Sequence, residues 1–264
     1  MEITSDTTAL VTGANGGIGA AIARAFKRAG AKVVITGRRA DALEPLAREL
    51  DAKVVVADLA LREDARRLDE VAREVDVAVL NAALPSSGPL LEYTPEQIDR
   101  AVDVNLRAPI HTARTVAEAM VARGRGHIVF ISSISGKVAT GGQALYNATK
   151  FGLRGFAFAL REDLQPHGVG VSTVFPGFIR DAGMFADAGV ALPTGLGTRS
   201  PEEVAAAVLR AVRVDAAEID VAAFEQVFAG RLFPLAPSAF TWLQRKLDNG
   251  VLAVQIAERQ RHKR

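Results

Sequence analysis

"TALVTGANGGIGAAIARAF", residues 8–26, passes through three textures without a break. Residues 8–13 are apolar and β-branched, as a buried strand is, and residues 17–30 repeat apolar side chains at helical spacing up to Gly30. Between them, residues 12–19 hold Gly13, Gly16, Gly17 and Gly19. A strand that turns through glycines straight into a helix leaves the first helical amides unpaired, with the positive end of the helix dipole behind them. That arrangement cradles a pyrophosphate, and the strand before with the helix after separates it from an ordinary tight turn. The stretch predicts the dinucleotide-binding first unit of a doubly wound α/β domain.

The same alternation continues downstream. Further strands are expected at 32–36, 53–57, 75–80, 127–132 and 169–175, and helices at 40–50, 61–74, 95–123 and 145–165. Continuous apolar strands separated by helical crossovers mean a parallel sheet covered on both faces. Residues 178–200 contain four glycines and little periodicity, which suits a mobile lid beside a site. A helix at 201–214 and a short strand at 218–222 complete a single domain over 1–223. Residues 224–264 read as a helical extension of that domain, broken by Pro234, Pro237 and Gly250.

Composition narrows the function classes. The 264 residues carry 32 Lys and Arg against 30 Asp and Glu, a formal charge of +2 that gives no reason to expect a nucleic-acid partner. Cysteine is absent, which excludes disulfides, thiolate metal sites and a cysteine nucleophile. Four histidines, none closely paired, argue against zinc, so no metal is expected. No apolar run approaches the ~20 residues of a membrane span, and the start of the sequence lacks a signal-peptide pattern. A soluble, cytoplasmic protein is expected.

Three further places carry chemistry. After the second strand, where a carboxylate would bind both ribose hydroxyls, stand Gly37, Arg38 and Arg39. Guanidinium groups without an acid suit a 2′-phosphate, so NADP is favoured over NAD. Asp58, after the third strand, either accepts from the adenine amino group or caps the helix from Leu61. In "YNATK", residues 146–150, Tyr146 and Lys150 are four apart and share a helix face. A phenol titrates near ~10 in isolation, and a fixed neighbouring cation should lower that value and make Tyr146 a usable acid/base.

These stretches, with "LNAA" (80–83), "VNL" (104–106), "ISSISG" (131–136) and "PG" (176–177), come in the order and spacing of one family. Over roughly residues 7–180 the chain resembles the short-chain dehydrogenase/reductases. The resemblance implies a Rossmann fold and hydride transfer between NADP(H) and a carbonyl or secondary alcohol. It implies that Tyr146 exchanges a proton with the substrate oxygen, Ser133 bonds that oxygen, Lys150 holds the nicotinamide ribose, and Asn105 holds a relay water. It likewise assigns Gly13, Asn15, Gly16, Gly17, Ile18, Gly19, Asp58, Leu59, Asn81, Ala82 and Ala83 to the cofactor, with Pro176, Gly177 and Ile179 around the nicotinamide.

Three positions depart from the family pattern. Leu80 and Ala83 replace an asparagine and a glycine, and Asp181 stands where a threonine usually holds the carboxamide. The resemblance further implies a homodimer or homotetramer. Residues 224–264 are expected to bury against the lid or a second subunit rather than lie on a membrane as an amphipathic segment. Two other readings compete: a silent NADP-binding regulator or scaffold, and a lyase or epimerase using nicotinamide transiently.

Overall fold

The strands form because their β-branched runs are buried on both sides, and the parity of each strand decides which side. Strand β1 (Thr8–Thr12) sends Ala9 and Val11 to one face and Leu10 to the other. Strand β5 (Gly126–Ile131) repeats this with Val129 and Ile131 against Ile128 and Phe130. Helix α1 (Gly17–Arg28) closes the first face with Ile22 and Phe26, four residues apart, and both are fully buried. This computed structural model describes residues 1–190, 192, 196–246, 255, 256 and 258–260.

The chain alternates through β2 (Lys32–Gly37), α2 (Ala40–Leu50), β3 (Lys53–Val56), α3 (Arg62–Ala72) and β4 (Val77–Leu80). It continues with α4 (Pro95–Val102), α5 (Ala108–Arg123), β5, α6 (Ala144–Leu164), β6 (Val169–Pro176), α7 (Gly183–Ala188), α8 (Pro201–Val214) and β7 (Glu218–Val221). All strands are parallel in the order β3-β2-β1-β4-β5-β6-β7. Helices α1, α2 and α8 supply Phe26, Leu43 and Val208 to one core; α5 and α6 supply Val116, Met120 and Leu153 to the other. The strand order reverses between β1 and β4, and in such sheets ligands bind beyond the carboxyl ends there. This is the Rossmann architecture.

Two expectations change. The helix expected over 95–123 is interrupted by a π-helical turn, Asp103–Arg107. Thr94 and Gln97 form a capping box that starts α4, and Pro109 explains the interruption: lacking an N–H, it cannot donate to the Asn105 carbonyl one turn back. The 178–200 stretch is not wholly irregular, since α7 lies within it and Ile179 pairs with Arg199 in an isolated bridge. The extension breaks at Pro234 and Pro237 into α9 (Phe224–Leu232) and α10 (Pro237–Lys246), while Gly250 lies outside the described residues.

Aromatic contacts Phe151–Phe233 and Phe233–Phe240, with centroids 6.4 and 5.6 Å apart, fasten the extension to α6. Farther on, Ile256 and Gln260 are buried, and Gln260 donates to the Met184 carbonyl of α7. Phe224, Leu235 and Trp242 remain exposed. No described helix is long and apolar enough to cross a membrane.

Candidate active site

Helix α6 places Tyr146 and Lys150 one turn apart, and the Lys150 ammonium lies 5.7 Å from the Tyr146 ring centroid. Lys150 is 2% exposed, and its Nζ donates to the Ile131 carbonyl at the end of β5 (3.0 Å). Burial pulls Lys150 down to about 8. The expectation that the lysine lowers the phenol is reversed in this state. Burial pushes Tyr146 up to about 12, opposed by its hydrogen bond with Ser133. The ammonium is committed to a backbone carbonyl and faces the ring, so desolvation of the phenolate dominates.

Ser133 leaves β5 and caps the short turn Ile134–Gly136, accepting from the Ser135 amide (3.1 Å) and donating to the Pro176 carbonyl of β6 (3.4 Å). Ser133, Tyr146 and Lys150 are thus brought together from two elements. Asn147, which the sequence reading passed over inside YNATK, is also structural to the site. Its Nδ2 donates to the Ser135 and Val138 carbonyls at 2.6 and 2.9 Å, tying the serine loop to α6. A buried asparagine in an apolar helix was the available signal.

Asn105 stands in the π turn, and its side chain is fully occupied by the loop after β4. It donates to the Leu84 carbonyl (2.9 Å) and to Ser86 Oγ (3.3 Å), and accepts from the Leu84 amide (2.6 Å). Pro109 has no N–H to donate to the Asn105 backbone carbonyl as a regular helix would.

The glycine turn has the shape of a phosphate cradle. Gly16 precedes α1 without a side-chain cap, so the Gly17, Ile18 and Gly19 amides have no partner within the helix. Asn15, Gly16 and Gly17 are exposed. A Cβ on Gly17 would overlap Ala182, so the segment after β6 already lies on the cradle. Asn81 braces its floor, donating to the Thr12 carbonyl (2.9 Å), while Thr12 Oγ1 accepts from the Asn81 and Ala82 amides. Ala82 and Ala83 line this wall half-buried. These features fit a dinucleotide.

Arg38 and Arg39 are exposed and pair with no carboxylate among the described residues, leaving both guanidinium groups available. Asp58 is less free than expected. One oxygen accepts from the Ala60 amide (3.0 Å) and the other pairs with Arg100 (3.0 Å). The helix cap is Leu61, so Asp58 braces a turn rather than capping α3. Leu59 packs its side chain with Leu68 and Ala108, which leaves only its backbone for a ligand. Asp181 has a left-handed backbone (φ 66°) and points to Arg180 at 3.4 Å. Pro176 ends β6, the Gly177 amide donates to Val221 (2.9 Å), and Ile179 is buried.

The family model described as short chain dehydrogenase matches residues 7–192. An uncharacterised oxidoreductase of Staphylococcus aureus (strain MRSA252) is 32% identical over 219 residues, covering 80% of this chain and 93% of its own. A short-chain dehydrogenase from Sphingobium yanoikuyae, solved with NADPH, superposes with a TM-score of 0.76 at 28% identity, over 88% of this chain and 95% of its own. A metagenomic short-chain oxidoreductase solved with NADP gives 0.69 at 34% identity, over 84% and 98%. With its fold, its cradle and its serine–tyrosine–lysine cluster, this chain belongs to the short-chain dehydrogenase/reductase family of oxidoreductases.

Proposed function

We propose that the protein transfers hydride between NADP(H) and a carbonyl or secondary alcohol, with Tyr146 as acid/base. The observation that carries this reading is the meeting of Ser133, Tyr146 and Lys150 at the carboxyl ends of β5 and β6. The exposed amides of the cradle would hold the pyrophosphate. Arg38 and Arg39 would hold the 2′-phosphate, and Pro176, Gly177 and Ile179 would shape the nicotinamide pocket. The NADPH and NADP complexes of the two structural relatives support the choice of cofactor. When bound, the nicotinamide supplies or accepts the hydride.

The chain's own residues manage the proton. Ser133 is oriented by its turn to hold a substrate oxygen beside the phenol. At about 12, the Tyr146 phenol is protonated at neutral pH and ready to donate, as carbonyl reduction requires. In the alcohol-oxidising direction the same group must accept the proton instead. Asn105, through its backbone carbonyl, would hold water for refilling the proton. Helices α5 and α6 would form the homodimer or homotetramer contact.

Tyr146→Phe tests the assignment. Removing the proton donor should lower kcat by about 10²–10⁴-fold while NADPH binding persists. Wild-type turnover in that variant would rule out Tyr146 as the acid/base.

A further inference from the structure

The first turn of α9 holds both stems of the 178–200 excursion. Gln226 is 8% exposed, and its amide is fixed by three contacts. Its Oε1 accepts from the Phe178 amide (3.2 Å), and its Nε2 donates to the Gly197 carbonyl (2.9 Å) and to Glu225 Oε1 (3.4 Å). Glu225 completes the grip, since its Oε1 accepts from the Gly197 amide (2.7 Å). Both backbone groups of Gly197 are therefore bound by two adjacent side chains of one helix. The stems are also zipped to each other: Arg199 N donates to the Phe178 carbonyl and Arg180 N to the Arg199 carbonyl, each at 2.9 Å.

The seat of this amide explains Gly177. A Cβ at Gly177 would overlap Gln226 Oε1 and stand 2.8 Å from the Ala222 Cβ. The backbone that follows β6 can pass under the amide only without a side chain, and it emerges one residue later as the Phe178 donor. From there Arg180, Asp181 and Ala182 lead directly onto the cradle, where Ala182 covers Gly17. One buried amide in the C-terminal extension thus sets the path of the segment running from the nicotinamide side of the site to the phosphate side.

We propose that Gln226 is a positioning residue for cofactor binding, acting through Gly177–Ala182. The inference rests on the oxidoreductase reading for its cofactor, but the latch itself is a property of the chain and is measurable without one. Gln226→Met keeps the length and loses all three hydrogen bonds. The Phe178 amide loses its acceptor and should exchange with solvent about fivefold faster or more, while the Gly197 amide keeps its bond to Glu225, and NADPH should bind about fivefold more weakly. Gln226→Glu keeps an acceptor for the Phe178 amide but cannot donate to Gly197. It should therefore leave the Phe178 amide protected.

The experiment is hydrogen exchange of the NADPH-free proteins at the Phe178 amide, paired with a direct NADPH titration of each. Slow Phe178 exchange in the glutamate variant and fast exchange in the methionine variant, with weaker NADPH binding only where Phe178 is loosened, is the expected pattern. Unchanged exchange of the Phe178 amide in Gln226→Met would overturn the latch, whatever the titration reads. A loosened Phe178 amide with wild-type NADPH affinity would overturn the positioning role. A wild-type protein that does not bind NADPH would instead sink the cofactor assignment, and the exchange result would still decide the latch. Should the methionine variant fail to fold, Gln226→Glu still decides, since fast exchange of its Phe178 amide would overturn the latch.

Discussion

Lys150→Met should change the pH dependence of stability in a way the catalytic assignment does not require. In the folded chain Lys150 titrates at about 8 because burial penalises its charge, against 10.5 in the open chain. Between those values the unfolded state binds more protons than the folded one, so wild-type stability rises with pH across the window. The displacement of ~2.5 pH units, at 1.36 kcal/mol each, amounts to about 3 kcal/mol. Below about 8 the whole penalty is present and the curve is flat. The variant lacks the group and also lacks the bond to the Ile131 carbonyl, but that second loss is the same at every pH. The difference in unfolding free energy, wild type minus variant, should therefore shift toward the wild type by about 3 kcal/mol between pH 8 and 10.5. Tyr146 titrates in both proteins, so its contribution cancels to first order. Urea unfolding followed by the fluorescence of Trp242 at a series of pH values measures it. A difference that stays level from pH 7 to 10.5 would refute the claim that Lys150 is held at a charge penalty.

Arg38→Asp should move cofactor preference from NADP(H) toward NAD(H), by roughly 10- to 100-fold in the ratio of kcat/KM, since a hydrogen bond to a charged group is worth ~1.5–3 kcal/mol. Steady-state kinetics with both cofactors checks it, and an unchanged ratio in both Arg38→Asp and Arg39→Asp would remove the arginines from 2′-phosphate recognition. His127 is buried with Nε2 2.8 Å from Ser172 Oγ, and burial lowers it to about 4 from 6.5. The unfolded state then binds the extra proton first, so stability falls as pH drops from 6.5 toward 4. About 2 kcal/mol of that fall should come between pH 6.5 and 5. His127→Gln should flatten this limb in denaturant titrations, and an identical acid limb in the two proteins would contradict the assignment.

The fold was legible because its signals are local. A strand buried on both faces must be apolar throughout, and Leu10 between Ala9 and Val11 shows why: one parity feeds each core. The glycine turn could be read from its flanks for the same reason. The break in the helix over 95–123 was less visible, although its cause is a single residue. Pro109 sits where a helix can tolerate it only if the turn before it loosens, and the apolar pattern on either side continues as though nothing had happened.

The site divides along the same line. Tyr146 and Lys150 were recognisable by their spacing of one helix turn, and Ser133 through the family resemblance. Their electrostatics were not, since the Tyr146 phenol is set by how deeply it lies and by where the Lys150 ammonium is anchored, and both follow from packing against β5. Gln226 was the least legible of all. Nothing in "AAFEQVFAG" marks it, and its partners Phe178 and Gly197 lie 48 and 29 residues away in sequence. A polar residue becomes readable as a positioning group only when the backbone it satisfies is known. In this chain that backbone belongs to the two stems of one excursion, which no periodicity could bring together. The proposed reactive groups lie in short motifs, whereas the proposed positioning group lies on α9, at the start of the C-terminal extension and far from those motifs in sequence.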